Sequence, residues 1–201
     1  MNKAELPVME AFYSLQGEGA HTGTPAYFIR LGGCDVGCHW CDVKESWEAS
    51  DHPKQTVESL VSDCLSSKAN ISVITGGEPL MYDLTSLTAE LKNHVIKRHL
   101  ETSGVYPLTG EWDWICFSPK KFKTPLEEFY KKSDELKVIV FNKNDLDWAK
   151  SHAVKMNSNA QLFLQPEWSK EKEMTPLIVE YVKNNPKWRI SLQTHKYLDI
   201  P

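Results

Sequence analysis

The stretch Ala26-Tyr27-Phe28-Ile29-Arg30-Leu31-Gly32-Gly33-Cys34-Asp35-Val36-Gly37-Cys38-His39-Trp40-Cys41-Asp42 decides how this chain is read. Residues 26–31 are apolar apart from Arg30 and form the pattern of a buried strand. The loop that follows holds Cys34, Cys38 and Cys41 in the spacing C-x3-C-x2-C. Iron–sulfur cubes are normally held by four thiolates. Three thiolates on one tight loop hold three irons of a [4Fe–4S] cluster and leave the fourth open to another ligand. Gly32, Gly33 and Gly37 let the backbone wrap closely around such a cube. The competing reading is a structural zinc site completed by His39 or Asp42. Zinc sites usually draw on two separated ligand pairs, and no second C-x2-C or H-x3-H occurs here. A bare run of buried cysteines explains the spacing least well.

Outside that loop the chain is ordinary. It has 201 residues, 41% hydrophobic and 25% charged, with a formal net charge of −4. That length suits one domain over 1–201, and no Gly-, Ser- or Pro-rich linker divides it. No apolar run approaches the ~20 residues of a membrane span, and residues 1–19 show no leader pattern. The mild acidity argues against a broad nucleic-acid surface. Short basic clusters such as Lys120-Lys121-Phe122-Lys123 read as solvated faces. An odd count of five cysteines points to a reducing, cytoplasmic setting. Cys64, in a helical pattern, and Cys116, in an apolar strand, read as small buried hydrophobes.

Working outward, strands are expected at 26–31, 71–75, 99–102, 114–118, 136–141 and 161–165, with a last extended piece at 188–192. Helices are expected near 56–66, 84–94, 126–132, 145–154 and 175–183. In the first helix, Val57, Leu60, Val61 and Cys64 mark the apolar face. Short apolar strands alternating with amphipathic helices imply a parallel sheet with helices outside. Six main strands are too few for an eight-stranded barrel, so the expected α/β architecture is an open, partial β/α barrel. In such folds chemistry gathers at the carboxyl ends of the strands. The cysteine loop, Thr75-Gly-Gly-Glu-Pro79, Glu101-Thr-Ser-Gly104, Ser118-Pro-Lys120 and Gln165-Pro166 all fall there.

C-x3-C-x2-C after one strand, with Gly76-Gly77-Glu78-Pro79 after the next, resembles the radical S-adenosylmethionine (SAM) superfamily. Further motifs occur in order: Ser14-Leu-Gln-Gly-Glu-Gly19, Ile29-Arg-Leu-Gly-Gly-Cys34, Cys41-Asp42 with Trp47, Glu101-Thr-Ser-Gly104, Ser118-Pro-Lys120 and Gln193-Thr-His-Lys-Tyr-Leu-Asp-Ile-Pro201. Together they resemble the 7-carboxy-7-deazaguanine synthase family over nearly the whole chain.

The resemblance implies a lyase that converts 6-carboxy-5,6,7,8-tetrahydropterin to 7-carboxy-7-deazaguanine and ammonia, a step towards the queuosine of tRNA. It implies a cluster on Cys34, Cys38 and Cys41, and SAM as a regenerated cofactor cleaved to a 5′-deoxyadenosyl radical. Trp40, Cys41, Asp42, Gly77, Ser118, Pro119, Lys120 and Gln165 match SAM contacts. Leu15, Gln16, Gly17, Arg30, Thr75 and the terminal carboxylate of Pro201 match pterin contacts, with Glu101 facing either ligand. Implied partners are a one-electron donor such as flavodoxin or ferredoxin and a second copy in a homodimer. In one respect the chain departs from the family. A Thr or Ser that ligates Mg²⁺ normally follows the Cys-Asp pair, and here Val43 stands in that place. Mg²⁺ is therefore expected without a named side-chain ligand. Two other readings stay open at this stage: a radical SAM activase acting on a protein glycine, and a zinc-stabilised interaction module.

Overall fold

The segment Glu135-Leu136-Lys137-Val138-Ile139-Val140 shows how the sheet divides its surroundings. Successive side chains of a strand point to opposite faces. Leu136, Val138 and Val140 are fully buried in the main apolar core. Glu135 and Lys137, on the other face, are buried as well. Neighbouring strands repeat the division. Ile29 and Leu31, Leu100, and Leu164 enter the main core, whereas Arg30, Glu101 and Gln165 line a cavity on the opposite side. One face of the sheet thus carries helices and the other encloses polar chemistry.

The computed structural model describes residues 4–201; residues 1–3, part of the stretch read above for a leader, lie outside it. Nine strands form one sheet: β1 (Glu5–Leu15), β2 (Pro25–Leu31), β3 (Lys54–Thr56), β4 (Ile71–Gly76), β5 (Lys97–Thr102), β6 (Trp114–Phe117), β7 (Glu135–Val140), β8 (Gln161–Pro166) and β9 (Trp188–Ile190). Their order is β3-β1-β2-β4-β5-β6-β7-β8-β9. From β2 through β9 every neighbouring pair is parallel, while β1 pairs antiparallel with both β2 and β3. Among the described residues no pairing joins β9 to β3, so the sheet is an open, partial barrel. Among the described residues six α-helices accompany it: α1 (Val57–Ser66), α2 (Thr85–Asn93), α3 (Glu128–Lys132), α4 (Asp145–Ala153), α5 (Glu171–Asn184) and α6 (Thr194–Leu198).

The helices start where their chemistry allows. The Thr56 hydroxyl accepts a hydrogen bond from Ser59 N at 3.2 Å and caps α1, leaving fewer orphan amides in its first turn. Val57, Leu60, Val61 and Cys64 form its buried face, as their spacing predicts. No described helix is long and apolar enough to cross a membrane.

Three features depart from the sequence reading. Strands β1 and β3 were not anticipated. Leu6 and Val8 of β1 are buried, but Pro7, Glu10 and a register shift between Val8 and Glu10 break its alternation. Helix α5 begins at Glu171, ahead of the expected 175, and carries Pro176 in its interior. A proline near a helix start removes only one hydrogen bond, and the buried Met174 anchors the earlier turn. Finally, Lys120 to Lys123 is solvated only in part, with Lys121 and Phe122 exposed but its lysines engaged. Lys120 is half-buried, Lys121 pairs with the buried Asp145, and Lys123 pairs with Asp35 at 2.7 Å.

Candidate active site

The cysteine loop leaves the end of β2 and is held from both sides. Gly33 N donates to Ser46 O at 2.6 Å, and Cys34 N donates to Trp47 O at 3.1 Å. On the outer side the Asp35 carboxylate accepts from Tyr106 Oη at 2.5 Å and Lys123 Nζ at 2.7 Å. Gly33 sits at φ 102°, a conformation that side chains disfavour. The turn after β4 presses against this loop. A Cβ on Gly77 would stand 2.2 Å from Gly33 O and 2.7 Å from Cys34 Cβ, so only glycine allows the approach.

All five cysteines are free, and Cys34, Cys38 and Cys41 line one cavity. Val36, Cys38 and Val105 form a small apolar cluster, with Cys34, Trp40, Cys41 and Tyr106 packed around it. Burial penalises the thiolate form, so the Cys34 thiol is pushed up and the Cys38 thiol up to about 11. Metal binding displaces such protons. A single ion needs donors converging at about 2.0–2.3 Å, and among the described residues no three His, Cys, Asp or Glu converge in that way. A cubane takes its thiolates on separate irons, and this donor set, three unpaired thiols around a cavity wall, fits it.

Glu78 of the same turn is buried, and its carboxylate ties two strand ends together. It accepts from Leu80 N at 3.1 Å, Thr102 Oγ1 at 2.6 Å, Ser103 N at 2.8 Å and Ser103 Oγ at 2.5 Å. These bonds fix the end of β4 against the end of β5 beside the cysteines.

Two cavities adjoin at the carboxyl rim. The first is lined by the three cysteines and by Trp40, Asp42, Gly77, Ser118, Lys120 and Gln165. Of the residues matched to SAM, only Pro119 lies off its wall. The second is lined by Leu15, Gln16, Gly17, Arg30, Thr75 and Pro201, all six positions matched to the pterin. Glu18, Arg30, Asp42, Val43, Thr75, Glu101 and Gln193 belong to both walls. Register explains part of this convergence: Arg30 stands opposite Thr75 on the parallel β2–β4 pair.

The shared wall is a network of compensated charges. Lys137 Nζ donates to Glu18 Oε2 at 2.6 Å and to Glu101 Oε2 at 2.8 Å. Burial alone would raise the Glu18 carboxyl, but Lys137, aided by Gln193, outweighs it and brings it down to about 2. Desolvation likewise opposes the Lys137 charge, yet the surrounding anionic groups hold its pKa well above the usual lysine range. Gln193 Nε2 donates to Glu18 Oε1 at 2.9 Å and Asp42 Oδ2 at 3.3 Å, and Lys196 Nζ donates to Asp42 Oδ2 at 2.8 Å. Arg30 Nε donates to Glu10 Oε1 at 2.6 Å, so part of its charge is already shared. Lys120 Nζ donates to Ser118 O and Oγ, both at 2.6 Å, and its burial lowers its pKa.

The C-terminal segment reaches from β9 to the end of β1 and the turn after it. Thr194 N and Oγ1 both donate to Gly17 O at 2.9 Å, and Ser14 Oγ donates to Pro201 O at 2.9 Å. A Cβ on Gly17 would meet His195 Nδ1 at 2.2 Å. The tail is seated by these polar contacts more than by its apolar residues, for Tyr197 is more than half exposed.

Sequence reasoning missed Lys137, Gln193 and Lys196 and gave Glu18 no role. A lysine alternating with Leu136 and Val138 in a buried strand was the available signal for Lys137. The Mg²⁺ expected from the resemblance does not fit these residues. Mg²⁺ demands near-octahedral oxygen coordination; Val43 offers none, and Asp42, Glu18 and Glu101 are already engaged by ammonium or amide donors.

Comparison with known proteins agrees with this geometry. Residues 15–163 match the family model described as a 4Fe-4S single cluster domain. A 7-carboxy-7-deazaguanine synthase of Flavobacterium psychrophilum is 61% identical, covering 98% of this chain and 93% of that protein. Its Synechocystis counterpart is 52% identical over 96% and 93%, and that of Escherichia coli K12 is 33% identical over 98% and 99%. The crystal structure of QueE from Escherichia coli superposes with a TM-score of 0.86 at 31% identity, covering 95% of both chains. With its thiol-lined cavity and its second polar cavity at one rim, this chain belongs to the 7-carboxy-7-deazaguanine synthase family.

Proposed function

We infer that the chain is a radical SAM lyase that converts 6-carboxy-5,6,7,8-tetrahydropterin to 7-carboxy-7-deazaguanine with release of ammonia. The observation that carries this reading is the pair of adjoining cavities, one walled by three free thiols and the other by Gln16, Arg30 and Pro201. Cys34, Cys38 and Cys41 hold the [4Fe–4S] cluster. Trp40, Asp42, Gly77, Ser118, Lys120 and Gln165 receive SAM. The bound cluster and SAM supply a hydrogen-abstracting 5′-deoxyadenosyl radical.

The protein's part is placement. Gln16 presents both a donor and an acceptor to a heteroaromatic edge. Arg30 and Thr75, neighbours across β2 and β4, face the same cavity and suit a carboxylate. Pro201 lies at the cavity wall, with its oxygen held by Ser14. Glu18 and Glu101 are both held by Lys137 and so offer fixed acceptors in a site from which the ligands exclude water.

The main core runs from Leu6 to Trp188, which supports reading 1–201 as one domain. The reading also brings a one-electron donor such as flavodoxin or ferredoxin, a homodimer and a cytoplasmic setting, for which five unpaired cysteines are suited. The test is anaerobic turnover of the reconstituted, reduced protein with SAM and the pterin, followed by mass spectrometry. Formation of 7-carboxy-7-deazaguanine and ammonia with SAM regenerated is expected. Stoichiometric SAM consumption without that product overturns the reading.

A further inference from the structure

The cavity that receives the pterin must hold its carboxylate beside Asp42, Glu18 and Glu101. With the terminal carboxylate of Pro201 on the same wall, these carboxylates around one small volume repel one another unless cations stand between them. A divalent ion is one solution, but it needs about six oxygens near 2.0–2.1 Å. Position 43 contributes a branched hydrocarbon, and it faces both cavities. The Asp42 carboxylate, the neighbouring oxygen donor, accepts from Lys196 Nζ at 2.8 Å and from Gln193 Nε2 at 3.3 Å. Glu18 and Glu101 are bonded to Lys137. The acidic groups at the junction therefore each already carry ammonium or amide donors: both oxygens of Glu18, both of Glu101, and Oδ2 of Asp42.

Lys196 is the one of these cations that comes from the tail. Its ammonium lies 4.9 Å from the centre of the Trp168 ring, and its side chain is half-buried on the pterin cavity wall. Trp168 itself lines the SAM cavity. Lys196 thus stands at the seam of the two cavities, fixed by a carboxylate on one side and an aromatic face on the other. A lysine ammonium has three donors, and Asp42 uses one. We propose that in this chain Lys196, with Arg30, neutralises the substrate carboxylate in place of a divalent cation, and that the enzyme works without Mg²⁺. The proposal rests on the pterin reading of the cavity.

Two measurements test it on the cluster-loaded protein. The first compares product formation in Mg²⁺-free buffer containing a chelator with formation at saturating Mg²⁺, the visible cluster absorption being followed to show that the cluster survives. In parallel, the electron paramagnetic resonance of added Mn²⁺ reports ion binding in the presence of SAM and pterin. Equal rates and an undiminished free Mn²⁺ signal are expected. A rate lost to the chelator and restored by Mg²⁺, or tight Mn²⁺ uptake, overturns the proposal. Absence of product at every Mg²⁺ concentration would instead refute the functional reading. The second measurement uses Lys196→Gln and Lys196→Arg. Loss of one charge-assisted contact raises the half-saturating pterin concentration about tenfold or more in the Gln variant. The Arg variant retains most of the affinity, and SAM affinity holds in both. A Gln variant with unchanged pterin KM, or one that loses SAM and pterin affinity alike, counts against the role.

Discussion

The two walls of the active site solve opposite electrostatic problems. Around Cys34, Cys38 and Cys41 the protein is apolar, with Val36 and Val105 buried among the thiols, and burial pushes the Cys34 and Cys38 thiols up. At the far wall Glu18, Glu101, Asp42, Lys137 and Lys196 are charged and paired. The apolar wall is incomplete until metal displaces its protons. The charged wall is complete as folded, because an unpaired buried charge costs far more than a paired one. The first therefore depends on assembly of a cofactor, and the second on the fold itself.

The largest effect that separates them is loss of a thiol. Cys38→Ala abolishes the cluster and SAM cleavage while leaving the far wall folded, and Cys64→Ala and Cys116→Ala retain both. Iron and sulfide content and the visible absorption check this. Retention of full iron content without Cys38 would show that the cluster lies elsewhere.

Next in size is Lys137→Met, which leaves Glu18 and Glu101 without their cation. It should lower folding stability by about 3–5 kcal/mol, read from urea unfolding of the protein before cluster loading. Adding Glu18→Gln and Glu101→Gln to that variant should restore most of the loss. If Lys137→Met costs no more than an exposed lysine, the far wall is hydrated and the contrast between the walls fails.

A smaller, graded effect comes from two histidines outside both walls. Burial holds His99 and His152 down to about 4, with His21 adding to the effect at His99 and Lys155 at His152. Their unfolded forms titrate near 6.5, so between about pH 6.5 and pH 4 the unfolded chain binds more protons than the folded one. Their contribution is fully present above pH 6.5 and is lost as the pH falls towards 4, at up to roughly 1.4 kcal/mol per pH unit for each histidine. Unfolding midpoints measured across that range give the slope. Glu18 adds to the acid loss only lower, between its ordinary value of 4.5 and about 2. A flat midpoint from pH 6.5 to 4.5 would show that neither histidine is held neutral.

The smallest change serves as a control. Val95 follows α2 in the left-handed region at φ 61° and is 87% exposed. Val95→Gly should stabilise by about 1 kcal/mol and leave cluster content and both ligand affinities untouched. A shift in ligand affinity would mean that stability and site are coupled through α2.

Legibility differed between the walls for reasons particular residues make plain. Cys34, Cys38 and Cys41 sit within eight positions, and their chemistry requires no distant partner to be recognised. Gly77 was legible as a turn, but the clash a Cβ would have with Gly33 O was not. Arg30 was matched to a pterin contact, but that Glu10, on a strand that was not anticipated, already shares its charge was not legible. Cys116 was read as a small hydrophobe; it is buried, but its thiol faces Glu135 at 3.5 Å on the polar side of the sheet.

By itself the sequence determined the thiol loop, the alternation of short strands with helices, and the rim on which the motifs meet. Each of these follows from spacing over a few neighbouring residues, where side-chain periodicity and backbone freedom act directly. Only the tertiary structure decided which charges are paired: Lys137 with Glu18 across 119 positions, and Lys196 with Asp42 across 154. A lysine on a strand or a tail has the same local signature whether solvated or buried. Its partner is chosen by strand register and by where the tail docks beside the end of β1, and the energy that fixes the pair arises only once packing has removed the water.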